Sequence, residues 1–495
     1  MTARTWFGAG IAGWAAATPG TAAIVTRETT IDRATMRARV DGKAAAFHAR
    51  GIGPGSVTAL AIRDRAEDVI ALFALLRLGA PLLCLDPGEP QAVSRALIDR
   101  AGARFLVGAE ADAAIGGATF VDVDAAVEGG GPGHLPPPPD PSAVCFLNRS
   151  SGTTSGVPKL AATTHGRQVE RARAGSDHFP LIPADRYLAV ISIAFSFGRN
   201  GVTYSLDEGG TVILPPPLKS AAGLAAIARD LGATWTSLTP AHLRTLVAGA
   251  PDDGPLLPWM RILCSTAALS IAERRAVLER VSRQLFVMYG SNESGALSIA
   301  RPGDLVDRID TVGRVLDGIV AEAVDGDSPL PPGRIGELRF ASPVFPRSYV
   351  DAVPGSSGRF VDGWYYPGDT GLIDDDGFIF LKGRVDDVIN AGGQKVYPAD
   401  IEECLAAHPA VVEALAFGLP EKREGIAPFA AVVLRRPCPA AELEAHCIAA
   451  LGRARAPRMI RVLTALPRTP LGKIDRAAMP AAWAAGGRSQ EEQRR

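Results

Sequence analysis

Residues 56–85 read SVTALAIRDRAEDVIALFALLRLGAPLLCL, and this stretch decides the fold. The apolar run Val57–Ile62 predicts a buried strand, Glu67–Leu78 predicts a helix, and Pro81–Leu85 predicts a second strand. A crossover helix between two strands brings the second strand back beside the first, so this order predicts a parallel, doubly wound sheet.

The same alternation continues along the chain. After a turn-rich stretch at 129–139, further core strands are predicted at 143–147, 187–191, 211–214 and 285–288. This second run of strands predicts a second doubly wound subdomain.

The pattern changes after residue 333. Short strands at 336–340 and 377–381 lie between Gly and Asp turns, as in an antiparallel sheet or barrel. We therefore expect an α/β protein with a large N-terminal part, residues 1–385, made of two doubly wound subdomains and a small barrel-like β subdomain. A small mobile α+β C-terminal domain, residues 386–495, is expected to follow.

Length and charge point to a multidomain protein that acts on small molecules. A chain of 495 residues is too long for one hydrophobic core. With 52 Lys+Arg against 53 Asp+Glu, the net charge of -1 gives no field that would favour nucleic acid or an anionic membrane.

The cysteine and apolar patterns predict a soluble cytoplasmic protein. The six cysteines form no CxxC pair and have no His at zinc-ligand spacing, which is typical of reduced core thiols. The apolar segment Trp6–Ala17 resembles a weak signal peptide, but we favour an ordinary first helix because little positive charge precedes it. The apolar stretch Val69–Leu85 is interrupted by Arg77 and Gly79 and cannot form an unbroken membrane span.

A candidate phosphate loop, SSGTTSGVPK at 150–159, follows the strand predicted at 143–147. Glycines allow backbone N–H groups to approach phosphates, hydroxyls donate, and Lys159 offers a cation to the outer phosphates. The stretch lacks the Gly-Lys-Ser/Thr ending of a Walker loop. A flexible Ser/Gly turn is the alternative explanation.

This loop, with Thr164 and His165 downstream, resembles the signature Ser-Gly-Thr-Thr-Gly-x-Pro-Lys of the adenylate-forming superfamily, which contains acyl-CoA synthetases, adenylation domains and luciferases. The resemblance implies that the nucleotide phosphates are bound by Ser151, Gly152, Thr153, Thr154, Gly156 and Lys159. Ser155 makes the loop one residue longer than usual, which leaves open which hydroxyl meets which phosphate. Leu160 replaces the usual Gly, as in several members that activate aryl acids.

The segment Tyr289–Glu293, YGSNE, follows the strand predicted at 285–288. A carboxylate at a strand end suits Mg²⁺, which prefers oxygen ligands, although a solvated loop residue is the alternative. By resemblance to Tyr-Gly-x-Thr-Glu, Glu293 binds the metal and Tyr289 stacks on adenine. Asn292 replaces the usual Thr and retains an amide that can donate to the α-phosphate. Val287 stands where a polar residue often contacts adenine.

A second nucleotide segment is GWYYPGDTG at 363–371, followed by KGRVDD at 382–387. A carboxylate on a Gly-rich turn can accept from both ribose hydroxyls, although such turns are also common without a ligand. The resemblance implies that Asp369 binds ribose, that Arg384 is a second nucleotide contact, and that Asp386 is a hinge.

Near the end of the chain, LPRTPLGK at 466–473 resembles the loop that carries the superfamily's catalytic lysine. The resemblance implies that the Lys473 ammonium stabilises charge on the α-phosphate as the carboxylate attacks. The small domain would then swing about Asp386 and bring in the loop 390–394, whose Gly393 would line a pantetheine tunnel.

The resemblance to the superfamily also implies that the acid-binding segment is Ala194–Gly198, AFSFG, with Phe195, Ser196, Phe197 and Gly198 as pocket residues. Ser196 stands near the position where members that activate amino acids keep an aspartate, so an α-amino acid is not expected. The two phenylalanines favour an aromatic or apolar acid, unless both belong to the core. Arg199, if it faces the pocket, favours a second carboxylate or a polar group on the substrate.

The resemblance covers nearly the whole chain and implies a two-step reaction. ATP, Mg²⁺ and a carboxylic acid give an acyl-AMP and pyrophosphate, and the acyl group then passes to CoA. Transfer to the phosphopantetheine of an acyl carrier protein is an alternative, and a nucleotide-binding regulatory protein without catalysis is a third possibility. No nucleic-acid or membrane partner is expected.

Overall fold

The structure is a computed structural model, which describes residues 6–124, 135–150, 158–217, 220–350, 359–391, 394–421, 425–468 and 474–484. Its helices are α1 Gly10–Ala17, α2 Arg33–Ala49, α3 Ala66–Leu78, α4 Gln91–Ala101, α5 His165–Ser176, α6 Ser196–Asp207, α7 Ala221–Asp230, α8 Pro240–Ala248, α9 Ile271–Arg280, α10 Asp304–Asp307, α11 Pro398–Ala406 and α12 Ala440–Leu451.

The strands are β1 Ala22–Val25, β2 Thr30–Asp32, β3 Thr58–Ala61, β4 Leu82–Leu85, β5 Phe105–Gly108, β6 Thr119–Asp122, β7 Val144–Arg149, β8 Leu160–Thr164, β9 Arg186–Leu188, β10 Thr211–Ile213, β11 Trp235–Leu238, β12 Arg261–Cys264, β13 Leu285–Ser291, β14 Gly295–Ala300, β15 Arg314–Val315, β16 Val320–Asp325, β17 Ser328–Pro329, β18 Gly336–Ala341, β19 Phe360–Val361, β20 Trp364–Tyr365, β21 Asp369–Ile373, β22 Ile379–Arg384, β23 Ile389–Ala391, β24 Gln394–Val396, β25 Val411–Glu421, β26 Gly425–Leu434 and β27 Ile460–Val462.

The first sheet has six strands in the order β6-β5-β3-β4-β7-β8. Strand β3 pairs in parallel with β4 and with β5, as the strand–helix–strand pattern of 56–85 predicts. The connecting helix α3 is buried along nearly its whole length, because its own side chains are apolar around almost its whole circumference. It ends at Gly79, whose φ of 67° is the left-handed conformation that glycine adopts without steric cost.

The second sheet has nine strands in the order β15-β14-β13-β12-β11-β9-β10-β1-β2. Its centre is parallel, and the predicted second doubly wound subdomain is confirmed. Strand β9 ends at Leu188, earlier than predicted, and the segment after it turns toward Asp64, which lies between β3 of the first sheet and α3. The Asp64 carboxylate accepts from the backbone N–H of Ile193 at 2.7 Å and from the hydroxyl of Ser192 at 3.1 Å.

In the second sheet, the residue two positions after the end of strand β12 has an unusual backbone conformation. Thr266 has a φ of 83°, and its side chain is exposed. A β-branched residue in the left-handed region is under steric strain. Since β13 lies beside β12, this strained residue is placed at the same sheet edge as the turn that follows β13.

The third sheet has seven strands and antiparallel pairing throughout, with β17-β16-β18-β20-β19 in one path and β21 and β22 attached through β18. The prediction of an antiparallel, barrel-like part after residue 333 is confirmed for these strands, although the sheet begins earlier, with β16. Its buried side chains join the core of the second sheet, so the two sheets form one hydrophobic cluster that includes Leu338, Phe340 and Tyr365.

The last part of the chain has its own sheet, β24-β23-β26-β25 with β27 beside β26, covered by α11 and α12. Its apolar side chains form a separate cluster around Ile401, Leu405 and Leu443. The expected small α+β unit is therefore present, and its first strand begins at Ile389. The division at 385/386 stays a prediction.

Within the described ranges, no helix is both long and apolar enough to cross a membrane. The cysteines have free thiols, and four of them are buried: Cys84, Cys145, Cys264 and Cys447. Cys404 and Cys438 are partly exposed, so the expectation of core thiols holds for four of the six positions.

Candidate functional site

The two ends of the predicted phosphate loop are held together. The backbone N–H of Ser150 donates to the carbonyl of Lys159 at 2.8 Å, and the Lys159 N–H donates to the Ser150 hydroxyl at 3.0 Å. Strand β7 therefore leads into the loop and β8 leads out of it, in antiparallel pairing. The loop positions Ser151, Gly152, Thr153, Thr154, Ser155 and Gly156 lie outside the described residues.

Lys159 itself is exposed, and its Nζ lies 5.1 Å from the ring centroid of Tyr349. A cation over an aromatic face is attracted by the ring quadrupole. Tyr349 was not predicted from the sequence, and it connects the lysine to the next part of the site.

Glu293 lies in the turn between β13 and β14 and is only 2 % exposed. Its Oε1 accepts a hydrogen bond from the hydroxyl of Tyr349 at 2.9 Å, and its backbone carbonyl accepts from the guanidinium of Arg171. Burial, reinforced by the neighbouring Glu293 carboxylate, raises the pKa of the Tyr349 hydroxyl well above its usual value. The tyrosine is therefore a protonated donor at neutral pH.

The second oxygen of Glu293, Oε2, is buried and has no hydrogen-bond partner among the described residues. A buried carboxylate oxygen without a partner is unfavourable, because it has lost its hydration shell. A divalent cation with a preference for oxygen ligands would satisfy it, so the side chain fits the Mg²⁺ that the sequence predicts here.

Asn292 connects the turn to two other segments. Its amide nitrogen donates to the carbonyl of Arg149 at 2.7 Å, and its amide oxygen accepts from the hydroxyl of Ser196. One amide hydrogen is thus committed to the end of β7, and one is left for a phosphate. The contact also joins the predicted acid-binding segment to the base of the phosphate loop.

The predicted nucleoside residues lie together. Asp369 pairs with Arg384 in the register of β21 and β22. The Asp369 carboxylate accepts from the Tyr289 hydroxyl at 2.7 Å and from Arg384 Nη1 at 2.8 Å. Burial, with the nearby Asp369 charge, raises the pKa of Tyr289 well above its usual value. A carboxylate has about four acceptor positions, so two remain for ribose hydroxyls.

The predicted hinge, Asp386, is exposed in a short 3-10 turn between β22 and β23. Its neighbour Asp387 forms an ion pair with Arg476 at 3.2 Å. Lys473 and Gly393 lie outside the described residues, but the residues that flank each of them are paired. Arg468 pairs with Ile474 in an antiparallel bridge, and Ala391 pairs with Gln394.

The predicted acid-binding segment forms the start of α6. Phe195 is the residue before the helix, and both phenylalanines, Phe195 and Phe197, are half-buried. Gly198 is buried, and a Cβ there would overlap the carbonyl oxygens of Ile191 and Ser192. Only glycine therefore allows this close approach of the helix to the preceding segment.

Arg199 is 4 % exposed and lies against the first sheet. Its Nη2 donates to the amide oxygen of Asn148 at 2.7 Å, its Nη1 donates to the Ala194 carbonyl at 3.3 Å, and its guanidinium stacks 4.5 Å from the Phe146 ring centroid. These contacts fix α6 to β7. They do not support the sequence hypothesis that Arg199 selects a second carboxylate on the substrate.

Sequence reasoning missed Tyr349 and Arg171. Both contact Glu293, but they are 56 and 122 positions away from it in the chain. Arg171 also donates to the Thr163 hydroxyl at 3.1 Å. No local spacing connects residues so far apart: Arg171 lies on α5 and Tyr349 lies between β18 and β19, so tertiary packing brings them to Glu293.

Comparison with known proteins finds matches along most of the chain. The AMP-binding enzyme family matches residues 11–350, and the AMP-binding enzyme C-terminal domain matches residues 400–473. The salicyl-AMP ligase / salicyl-S-ArCP synthetase of Mycobacterium tuberculosis (strain ATCC 25618 / H37Rv) is 34% identical over 486 residues, which cover 90% of this chain and 84% of that protein. A 4-chlorobenzoate–CoA ligase from Arthrobacter sp is 29% identical over 492 residues, covering 93% and 92%. The crystal structure of ATP-bound MatB from Rhodopseudomonas palustris has the same fold, with a TM-score of 0.86 and 23% identity over 96% of this chain and 99% of that chain.

Matches that extend through both the large part and the small carboxy-terminal part define a ligase that forms acyl adenylates. More particularly, the chain belongs to the AMP-binding enzyme family.

Proposed function

We propose that this protein activates an aromatic or apolar carboxylic acid with ATP and passes the acyl group to the thiol of CoA. In the first step, a carboxylate oxygen bonds to the α-phosphorus while the bond from that phosphorus to pyrophosphate breaks. In the second step, the thiolate sulfur bonds to the acyl carbon and AMP leaves. The observation that carries the proposal is the buried Oε2 of Glu293, which has no partner in the part of the chain that the structure describes and lies beside Asn292 and the base of the phosphate loop.

The nucleotide is proposed to be held by groups from the first, second and third sheets. Glu293 would hold Mg²⁺, which supplies positive charge for the phosphates. Asp369 would accept the ribose hydroxyls, with its orientation fixed by Tyr289 and Arg384. Lys159 is close enough to Tyr349 to act from the same side as Glu293, where it would bind the outer phosphates.

The C-terminal loops are proposed to alternate at this site. Lys473 would stabilise charge on the α-phosphate during adenylation. A rotation about Asp386 would then move Lys473 away from the nucleotide and bring in Gly393, so that the thiol arm reaches the acyl carbon. The support is local: Asp386 is an exposed residue in a short turn between two sheets, as a hinge requires.

The acid class is inferred from the start of α6. Ser196 offers a hydroxyl where an α-ammonium would need a carboxylate, and this hydroxyl is already donated to Asn292. The half-buried Phe195 and Phe197 favour an aromatic ring or an aliphatic chain. Two relatives are named for aromatic acids, salicylate and 4-chlorobenzoate.

The acceptor has a second candidate. The name of the Mycobacterium tuberculosis relative includes the product salicyl-S-ArCP, so transfer to the phosphopantetheine of a carrier protein is the alternative to CoA. The two reactions differ only in the thiol that receives the acyl group in the second step.

Acid-dependent exchange of labelled pyrophosphate into ATP tests the first step. A panel of aromatic, aliphatic and α-amino acids should give exchange with aromatic or apolar acids, and a panel without any exchange would overturn the proposal. Thioester formation with CoA, or with a phosphopantetheinylated carrier protein, then identifies the acceptor.

The Lys473→Ala variant separates the two steps. We expect adenylation to fall by orders of magnitude, whereas transfer from preformed acyl-AMP stays nearly unchanged. Arg436→Ala removes an exposed cation of the same domain and should affect neither step. An equal loss in both steps for Lys473→Ala would contradict the alternation of loops.

A further inference from the structure

The carboxylate of Glu293 is held on one side only. Its Oε1 has a partner, Tyr349, whereas its Oε2 has none among the described residues. We propose that Tyr349 is a positioning residue, whose hydroxyl orients the Glu293 carboxylate so that Oε2 faces a divalent cation. This inference rests on the proposed role of Glu293 in holding Mg²⁺.

The main chain of the same turn is fixed separately. Arg171 donates to the backbone carbonyl of Glu293 and to the Thr163 hydroxyl, so the turn is tied to α5 and β8. The Asn292 side chain ties it to the end of β7. With the backbone held in this way, the remaining freedom is rotation of the Glu293 side chain. The Tyr349 hydroxyl is the one described group that restrains this rotation through a carboxylate oxygen.

Burial makes this restraint strong. Tyr349 is 5 % exposed and Glu293 is 2 % exposed, so little water competes for the hydrogen bond. A hydrogen bond to a charged group contributes more than one between neutral groups. Its loss would allow the carboxylate to turn and would weaken cation binding by about tenfold.

The ring of Tyr349 has a different function from its hydroxyl. The ring packs edge-on against Phe360 with centroids 5.4 Å apart, and it lies under Lys159 Nζ. Tyr349→Phe keeps the ring and removes only the hydroxyl, so the variant isolates the contact with Glu293. Tyr187→Phe is a matched control, because Tyr187 is fully buried and its hydroxyl contacts Ser237 Oγ at 2.8 Å in the core.

The experiment measures Mn²⁺ binding to the full-length protein by electron paramagnetic resonance, in the presence of an ATP analogue with a methylene bridge between the α- and β-phosphates. No turnover occurs, so the readout is independent of activity. We expect Tyr349→Phe to raise the Mn²⁺ dissociation constant about tenfold and Tyr187→Phe to leave it unchanged. In steady-state assays, the Mg²⁺ requirement of Tyr349→Phe should increase while the KM for the acid stays constant.

Glu293→Gln separates the inference from the proposed function. Equal Mn²⁺ affinity for Glu293→Gln and the wild type would mean that the metal site itself is wrongly placed, and both ideas would fail. Weaker binding by Glu293→Gln together with unchanged binding by Tyr349→Phe would overturn the positioning role alone. In the double variant, the tyrosine substitution should add nothing to the effect of Glu293→Gln, because the two act through one carboxylate. Thermal melting of Tyr349→Phe gives the temperature range in which this variant is folded, and Mn²⁺ binding is compared with the wild type within that range.

Discussion

The strained backbone of Thr266 gives a prediction in which stability and function change in opposite directions. Its φ of 83° costs a β-branched residue about 1–2 kcal/mol, and Thr266→Gly removes this cost. Glycine also increases the entropy of the unfolded chain, which offsets about 0.4–1 kcal/mol of the stability gained by removing the strain. The net gain is about 1 kcal/mol, equivalent to roughly 2 °C in the melting temperature of a large domain.

The same substitution should harm the acid step. Thr266 is exposed two residues after the end of β12, which pairs with β13, the strand that contains Tyr289 and precedes Asn292. A glycine there loosens this sheet edge, so we expect the KM for the acid to rise about threefold while the protein melts at a higher temperature. Differential scanning calorimetry and pyrophosphate exchange measure the two effects.

A control is available at Asp362, which has a φ of 48° in the exposed turn between β19 and β20. Asp362→Gly should change stability slightly and leave the KM for the acid unaltered, because this turn is not part of the proposed site. If Thr266→Gly melts at a lower temperature than the wild type, then the contacts of the threonine outweigh its strain and the reasoning is refuted.

Three further predictions concern His165, Gly198 and Arg476. Burial lowers the pKa of His165 to about 4 from 6.5, so its contribution to stability is present above pH 6.5 and is lost as the pH falls through 4. His165→Phe should therefore remove up to about 3 kcal/mol of acid destabilisation, measured by urea unfolding at pH 7 and pH 4. Gly198→Ala places a Cβ against the Ile191 carbonyl and should raise the KM for the acid and lower the melting temperature. Arg476→Ala removes the ion-pair partner of Glu402 at 2.8 Å and leaves the Ala416 N–H as its donor, and hydrogen exchange should show a C-terminal domain less stable by about 1–2 kcal/mol.

The order of secondary structure was largely predictable from the sequence. Apolar runs bounded by turn residues predicted β3, β4 and the helix between them within two residues of their observed ends. The end of β9 was not predictable, because the chain leaves the sheet to meet the Asp64 carboxylate, which is 129 positions from Ile193. Hydrophobic pattern carries no information about such a polar contact.

The site was predictable only in part, for the same reason. Glu293, Tyr289, Asp369 and Arg384 stand in recognisable motifs, and the structure places the last three in direct contact. Tyr349 belongs to no motif that we identified, and its contact with Glu293 depends on how the third sheet packs against the second. The motifs therefore indicate the chemistry, and the tertiary packing supplies the groups that support it.

The contact of Ser196 with Asn292 has a consequence for altering the choice of acid. A library that varies position 196 alone to enlarge the pocket also removes the donor for the Asn292 amide oxygen, and Asn292 supports the Arg149 carbonyl at the base of the phosphate loop. Variants selected for a new acid would then lose affinity for ATP. Positions 196 and 292 therefore have to be randomised together, as a single unit of specificity.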